Sequence, residues 1–156
     1  MLNKLDTPLK HCNLKFQDSV GPDSVQTGLF EGYASTFGNI DAMNDTIMAG
    51  AFAETIDPEN RSAPVMMLAN HNASFPIGKW LDLAEDDNGL YCHGELTPGH
   101  SVASNVYASM RHGAISGLSI GFRPREAEDI ESGGRRISKV DLVEISVVGF
   151  PADNDA

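Results

Sequence analysis

The stretch ISKVDLVEISVVGF, residues 137–150, is a long apolar run that carries two acidic residues near its middle. Isoleucine and valine dominate it, and β-branched residues are enriched in strands because they pack well on a pleated surface. A second run, ISGLSIGF at 115–122, alternates branched or aromatic residues with small ones. Such alternation is typical of a strand whose two faces meet different surroundings. Both runs therefore predict strands in a β-rich fold.

Four more segments upstream contain apolar or aromatic residues over strand length. They are LFEGYASTF (29–37), APVMMLAN (63–70), PIGKWLDLAED (76–86) and GLYCHGEL (89–96). The last two are joined by EDDNG, whose Asn-Gly pair is a strong hairpin signal. With a ragged first strand near the N-terminus, the count is about six or seven strands.

One clear helix is predicted, in SVASNVYASMRHG at 101–113, with Gly113 as its C-terminal stop. The apolar residues that recur there at helical spacing are Val102, Val106 and Met110. One or two further helical turns are expected in GAFAETI (50–56), ending before Pro58 because a proline disfavours helix in the residue before it.

The remaining segments complete the predicted architecture. The stretches 38–50 and 125–136 are expected to be loops, the second because it is charged and contains glycines. Together the elements predict a mainly β (α+β) fold, an antiparallel β-barrel or sandwich with a few flanking helices. At 156 residues the chain suits one domain. We expect an N-terminal arm or first strand over 1–27 and the main domain over 28–156.

Charge and composition exclude some classes of function. Acidic residues outnumber basic ones 22 to 11, which gives a formal net charge of −11. A negative field repels phosphates, so nucleic acid and anionic membranes are not expected as partners. No run approaches the ~20 apolar residues of a membrane span. The two cysteines, Cys12 and Cys92, form no CxxC pair, and we expect free thiols in a reducing cytoplasm.

Ser119, at the centre of the 115–122 run, has two interpretations. Strand alternation puts Leu118, Ile120 and Phe122 on one face, facing the core, and leaves Ser119 on the other with Gly117 and Gly121. Two small neighbours leave space above the hydroxyl, as a nucleophile needs. Tight packing by a neighbouring strand explains the same glycines, and the octamer alone favours that explanation.

A nucleophilic serine needs a base and an orienting acid. Among five histidines, His71 is the best candidate because it ends an apolar strand, where a rigid scaffold commonly presents chemistry. His93 suits the polar face of a strand, and His100 and His112 suit the two ends of the helix. For the acid, the 137–150 run offers Glu144 and Asp141 on opposite faces.

Glu144 is favoured as the acid because apolar residues flank it and Ser146 shares its face, whereas Asp141 lies nearer the exposed loop. Pairing of either acid with Arg135, Arg136 or Lys139 is the alternative. No HExxH or paired Cys/His spacing supports a metal site, and Cys92 suits a buried, inert strand position. No metal and no cofactor are therefore predicted.

Five segments taken together, in this order, resemble a known family: GYASTFGNIDAMNDTIMAGAF, NHNASFPIGKW, GLYCHGEL, GAISGLSIGF and LVEISVVGFPADNDA. They are similar to the prohead (capsid maturation) proteases of HK97-type tailed phages over about residues 28–156. That family is distantly similar to the herpesvirus assembly protease, a serine protease on a mostly antiparallel barrel surrounded by helices. The resemblance thus implies a herpesvirus-protease-like fold.

The resemblance also implies roles for residues. His71 falls on the family's general base, Ser119 on its nucleophile, and Glu144 on its acid, with Asp141 as the alternative third member. The herpesvirus enzymes use a second histidine as the third member, and this chain has none there. They also place arginines after the final motif, where this chain has Gly149 and Phe150, which become candidates for the oxyanion site.

The resemblance further implies the biological setting. The expected substrates are the major capsid protein or its scaffold segment and the protease itself, cleaved inside the immature capsid in the host cytoplasm. A homodimer is possible, as in the herpesvirus relatives. A catalytically silent capsid-assembly or scaffold component with the same fold is the alternative.

Overall fold

A computed structural model describes residues 14–17, 28–131 and 133–156. Eight strands, one α-helix and one short 3₁₀ helix make up its regular structure within those ranges, so the predicted six or seven strands are too few. Their bounds are β1 Lys15–Gln17, β2 Leu29–Thr36, β3 Asp45–Ile47, β4 Met66–Ala69, β5 Asn72–Glu85, β6 Gly89–Leu96, α1 Ser101–His112, β7 Gly117–Ile130 and β8 Gly134–Val148. The mainly β prediction is confirmed. The predicted arm over 1–27 falls largely outside the described residues, as does Cys12.

The strands form one mixed sheet in the order β1-β2-β6-β5-β4-β8-β3, with β7 paired to β8. Most neighbours are antiparallel, including the β5–β6 hairpin predicted at the Asn-Gly pair. The prediction of an antiparallel sheet is wrong for two pairs, because β3 and β4 both run parallel to β8. These pairs join strands far apart in sequence, and no hairpin signal marks such a pairing.

Strand β8 is the centre of this arrangement. β7 pairs with it antiparallel along its whole length, so β3 and β4 must share its other edge, one at each end. β2 and β7 lie close to each other at the far side, but among the described residues no ladder joins them. Closure of the sheet into a barrel therefore stays a prediction.

The predicted loop over 125–136 is wrong. Strands β7 and β8 extend through it as a hairpin, and their pairing continues out to Ile130 and Gly134. Most residues of this outer part are exposed, so backbone pairing rather than an apolar face keeps it regular. The predicted loop over 38–50 contains β3, and the turns expected at 50–56 precede a short 3₁₀ helix at Pro58–Asn60.

Most of the core residues come from the strands of the sheet, and α1 adds three more from one of its faces. The helix buries Ala103, Tyr107 and Met110. Met110 belongs to the predicted apolar spacing, but Val102 and Val106 are only partly buried, and the next residue after each is buried instead. His100 caps its N-terminus, since His100 Nδ1 accepts from the backbone N–H of Ala103 at 3.2 Å. Its end is the predicted one, because Gly113 takes φ 82° and its N–H donates to the carbonyl of Met110.

Three smaller predictions concern the same ranges. Cys92 is fully buried in β6, as expected from its strand position, and its Sγ donates to the carbonyl of Gly32 at 3.2 Å. In the described part of the chain, no helix is long and apolar enough to cross a membrane. Within those same residues, no three histidines, cysteines or carboxylates gather closely enough to hold a metal ion.

Candidate active site

His71 is presented by a tight turn at the end of β4. Ala69 pairs with Asn72, so the loop between β4 and β5 consists of only Asn70 and His71. Both have positive φ, 50° and 57°. Positive φ at both central residues is the signature of a type I′ hairpin turn, in which Asn-Gly is the preferred sequence. A histidine in the glycine position carries backbone strain, which is often retained where function requires a side chain.

Glu144 supplies the partner of that histidine. His71 Nδ1 and Glu144 Oε1 form a short, direct hydrogen bond. The pairing follows from the parallel register of β4 and β8, which puts Glu144 opposite Met66 and Ser146 opposite Leu68. Leu68 precedes His71 by three residues, so the turn after β4 lies close to these two side chains of β8. The residue Glu144 is 92% buried, so its carboxylate depends on hydrogen bonds for stabilisation.

Ser146 completes the set of hydrogen bonds on that carboxylate. Ser146 Oγ donates to Glu144 Oε2 at 2.7 Å and accepts from the backbone N–H of His71 at 3.0 Å. The imidazole and the serine hydroxyl thus occupy one carboxylate oxygen each. This geometry holds the His71 Nδ1 side towards the acid and leaves Nε2 as the nitrogen available for proton transfer.

Ser119 lies on the strand next to this pair. It is the direct cross-strand neighbour of Ser146, and Gly121 is that of Glu144, so all four point from the same face of the sheet. Ser119 is buried, 4% exposed, and none of the described residues hydrogen-bonds to its hydroxyl. No hydrogen bond joins Ser119 to His71 here, and catalytic hydrogen bonds often form fully only with substrate bound.

The two glycines that flank Ser119 are themselves closely packed, and the space expected above the Ser119 hydroxyl stays a prediction. A methyl group on Gly121 would overlap the Glu144 carboxylate, and one on Gly117 would lie 2.7 Å from Pro151 Cδ. Glycine is required at these two positions because neighbouring groups fill the space, and the space at Gly121 is filled by the candidate acid itself. The opposite face behaves as predicted, with Leu118 in the core and Ile120 and Phe122 packed against it.

The other candidates lie around this centre. Asp141 pairs with Arg125, Nε to Oδ1 at 2.7 Å, and this bond raises the pKa of Arg125. Its partner is thus none of the three basic residues considered from the sequence. The side chain of Phe150 is 97% exposed, and there is open space around Gly149. A cavity of about 70 Å³ lies beside Ser119, between β2 and β7, with Thr36 and Asp153 in its wall.

Two features of the site were missed from the sequence. One is the type I′ turn, although Asn70 in the first turn position was an available signal. The other is the double hydrogen bonding by Ser146, which the sequence shows only as a small residue two positions after Glu144. Two other described histidines lie where they were predicted, His93 on the alternating strand β6 and His112 at the end of α1, whereas His11 lies outside the described residues.

Comparison with known proteins relates the whole chain to one group. Residues 15–156 match the family model for the caudovirus prohead serine protease. The chain is 45% identical over 132 residues to the prohead protease of Enterobacteria phage HK97, covering 83% of this chain and 58% of that protein. It is 30% identical over 157 residues to the prohead protease of Escherichia phage T5, covering 99% and 72%.

Two solved structures share the fold. The bacteriophage T4 capsid assembly protease superposes with a TM-score of 0.66 at 15% identity, covering 88% of this chain and 92% of that one. KSHV protease, in complex with a hexapeptide phosphonate inhibitor, superposes with a TM-score of 0.52 at 12% identity, covering 80% and 60%. The predicted likeness to a herpesvirus protease fold is thereby confirmed.

Proposed function

Because the chain belongs to the caudovirus prohead serine protease family, we propose that it is a serine endopeptidase of phage prohead maturation. Its substrates would be the major capsid protein or scaffold segment and the protease itself, inside the immature capsid in the host cytoplasm. The observation that carries the proposal is the hydrogen bond between His71 and Glu144, because Glu144 lies on the same face of the sheet as Ser119. The chain spans 58% of the length of its phage HK97 relative, so these activities are proposed for the domain described here.

In the proposed mechanism Ser119 Oγ attacks the carbonyl carbon of the scissile peptide bond while His71 Nε2 takes its proton. The negatively charged Glu144 stabilises the imidazolium that forms and keeps the imidazole oriented, as the acid of a serine protease triad does. His71 then gives the proton to the leaving amine, and an acyl-enzyme remains on Ser119. Water, activated by His71 in the same way, releases the acyl product.

Support for Glu144 rather than Asp141 comes from their partners. Glu144 is bonded to His71, whereas Asp141 is bonded to Arg125 at 40% side-chain exposure. The oxyanion donors are proposed to be backbone N–H groups near Gly149 and Phe150, just beyond the end of β8. Each donor of this type is typically worth ~3–4 kcal/mol of transition-state stabilisation. Gly117 and Gly121 act by admitting Pro151 and the Glu144 carboxylate beside the nucleophile.

Cleavage of a co-expressed capsid precursor tests the proposal. The Ser119→Ala variant should leave the precursor intact, because no other hydroxyl occupies the nucleophile position. Ser138→Ala is the matched control, since Ser138 is an exposed serine at the outer end of β8, and it should cleave as the unaltered chain does. Undiminished cleavage by Ser119→Ala would remove the nucleophile assignment. If the unaltered chain and the Ser119→Ala variant both fail to cleave the precursor, the result would favour the alternative function, a catalytically silent capsid-assembly or scaffold component.

A further inference from the structure

We infer that Ser146 is a positioning residue of the catalytic centre, which orients both the base and the acid without touching the substrate. The inference rests on the proposed function, because it assigns a role within the same His71–Glu144 pair. Its basis is the pair of hydrogen bonds from one hydroxyl, to the Glu144 carboxylate at 2.7 Å and from the His71 backbone at 3.0 Å.

The chemistry of a hydroxyl suits this double task. A serine hydroxyl has one donor and two acceptor sites, so it can donate to a carboxylate and accept from an amide at once. With Oε2 held by Ser146, the carboxylate of Glu144 has a fixed rotation and presents Oε1 to the imidazole. Hydrogen bonds to an ionised group are the stronger kind, which makes this orientation persistent.

The second hydrogen bond acts on the backbone of the base. The N–H of His71 belongs to a two-residue turn with positive φ at both positions. Ser146 Oγ accepts from that N–H, and the neighbouring Asn70 N–H donates to the carbonyl of Val147 at 3.1 Å. The turn is therefore attached to β8 at both of its residues, and Ser146 provides the contact nearest the imidazole.

Its position explains why Ser146 is not a second nucleophile. Ser146 is 0% exposed, and its hydroxyl is already hydrogen-bonded to the Glu144 carboxylate and to the backbone N–H of His71. It lies between the strand that carries Ser119 and the strand that leads to His71, at the Cα positions opposite Ser119 and Leu68. A buried serine that only stabilises the fold would make the same hydrogen bonds. A measurement must therefore separate that role from the positioning of His71 and Glu144.

Labelling by a fluorophosphonate probe separates the positioning role of Ser146 from a role in stability alone. The probe reacts with an activated serine, and the rate constant of that reaction can be measured separately from the affinity for the probe. Ser146→Ala should lower the rate constant of labelling at saturating probe by roughly 10- to 100-fold, the effect of losing hydrogen bonds to a charged group. The probe concentration at half-saturation should stay the same. Ser146→Cys, which keeps nearly the same volume with weak hydrogen bonding, should show the same loss in a folded protein.

Thr55→Val is the matched control. The Thr55 hydroxyl accepts from the backbone N–H of Leu142 in the same strand at 2.9 Å, and Thr55 is buried as well. Its removal should cost stability but leave the labelling rate unchanged. The low-field proton NMR signal of the His71 Nδ1–H should persist in Thr55→Val and weaken or broaden in both Ser146 variants.

The outcomes distinguish this inference from the proposed function. If Ser119→Ala still labels, the proposed function fails. If Ser119→Ala abolishes labelling while both Ser146 variants label at the unaltered rate and keep the low-field signal, the function stands and the positioning role is overturned. An equal loss of rate in Thr55→Val would also overturn it, because the effect would then follow stability alone.

Discussion

The strained turn at His71 leads to a prediction about stability that is independent of catalysis. Replacing His71 by alanine or by glycine removes the same imidazole and the same hydrogen bond to Glu144, so those losses cancel between the two variants. The φ of 57° remains, and left-handed backbone costs an L-residue roughly 1–2 kcal/mol that glycine avoids. Glycine loses about 0.5–1 kcal/mol through greater entropy of the unfolded chain. At the midpoints of these two ranges, His71→Gly should therefore be more stable than His71→Ala by about 0.7 kcal/mol.

Thermal unfolding of the two purified variants measures this difference. For a chain of this size about 0.7 kcal/mol corresponds to roughly 1.5–3 °C in Tm, with glycine higher. Both variants should be inactive, so the order of stability cannot follow activity. Ser74 offers a matched position, because it is exposed in the next strand without positive φ, and there alanine should be the more stable residue. Equal or reversed stability at position 71 would refute the account of strain.

Two further predictions follow from other contacts. Gly121→Ala should push the Glu144 carboxylate away from His71 and slow fluorophosphonate labelling on the order of 100-fold, the cost of misplacing a catalytic group by about 1 Å, with an unchanged far-UV circular dichroism spectrum. Labelling at the unaltered rate would contradict this geometry. Burial and a hydrogen bond to Glu31 raise the pKa of Tyr91 to about 12, so Tyr91 stabilises the fold below pH 10 and loses that contribution as the pH rises towards 12. In an ultraviolet titration Glu31→Gln should lower the pKa of Tyr91 part of the way to its usual value, and an unchanged titration would contradict the assigned cause.

The sequence predicted the local features of the fold well because their causes are local. Alternation identified the two faces of β7, and helical spacing with Gly113 bounded α1. The outer part of the β7–β8 hairpin was missed, because charged residues exposed on both faces leave no apolar period to detect. The parallel pairing of β4 with β8 was missed as well, since its partners are nearly eighty residues apart and only tertiary packing selects them.

The candidate site also contains features that could be proposed from the sequence and features that could not. His71, Ser119 and Glu144 could be proposed from the sequence because each lies within or at the end of an apolar run and carries a side chain that can do chemistry. The groups that pack against Gly117 and Gly121 could not be predicted, since a glycine in a strand shows that something comes close without showing what. Ser146 was not predicted as part of the site because serine is common in sheets, and only its two partners distinguish it.

The parallel pairing of β4 with β8 also bears on when the catalytic centre can form. The nucleophile strand needs only its hairpin neighbour, but the turn that carries His71 must wait for a strand that follows it by more than sixty residues. Contacts over such distances form late, because the entropy of closing the intervening loop must be overcome first. A nascent chain that has not yet made β8 contains Ser119 and His71 but lacks Glu144, the acid that would orient the histidine. Under the proposed function, the His71–Glu144 pair therefore cannot assemble before β8 has been synthesised and has paired with β4.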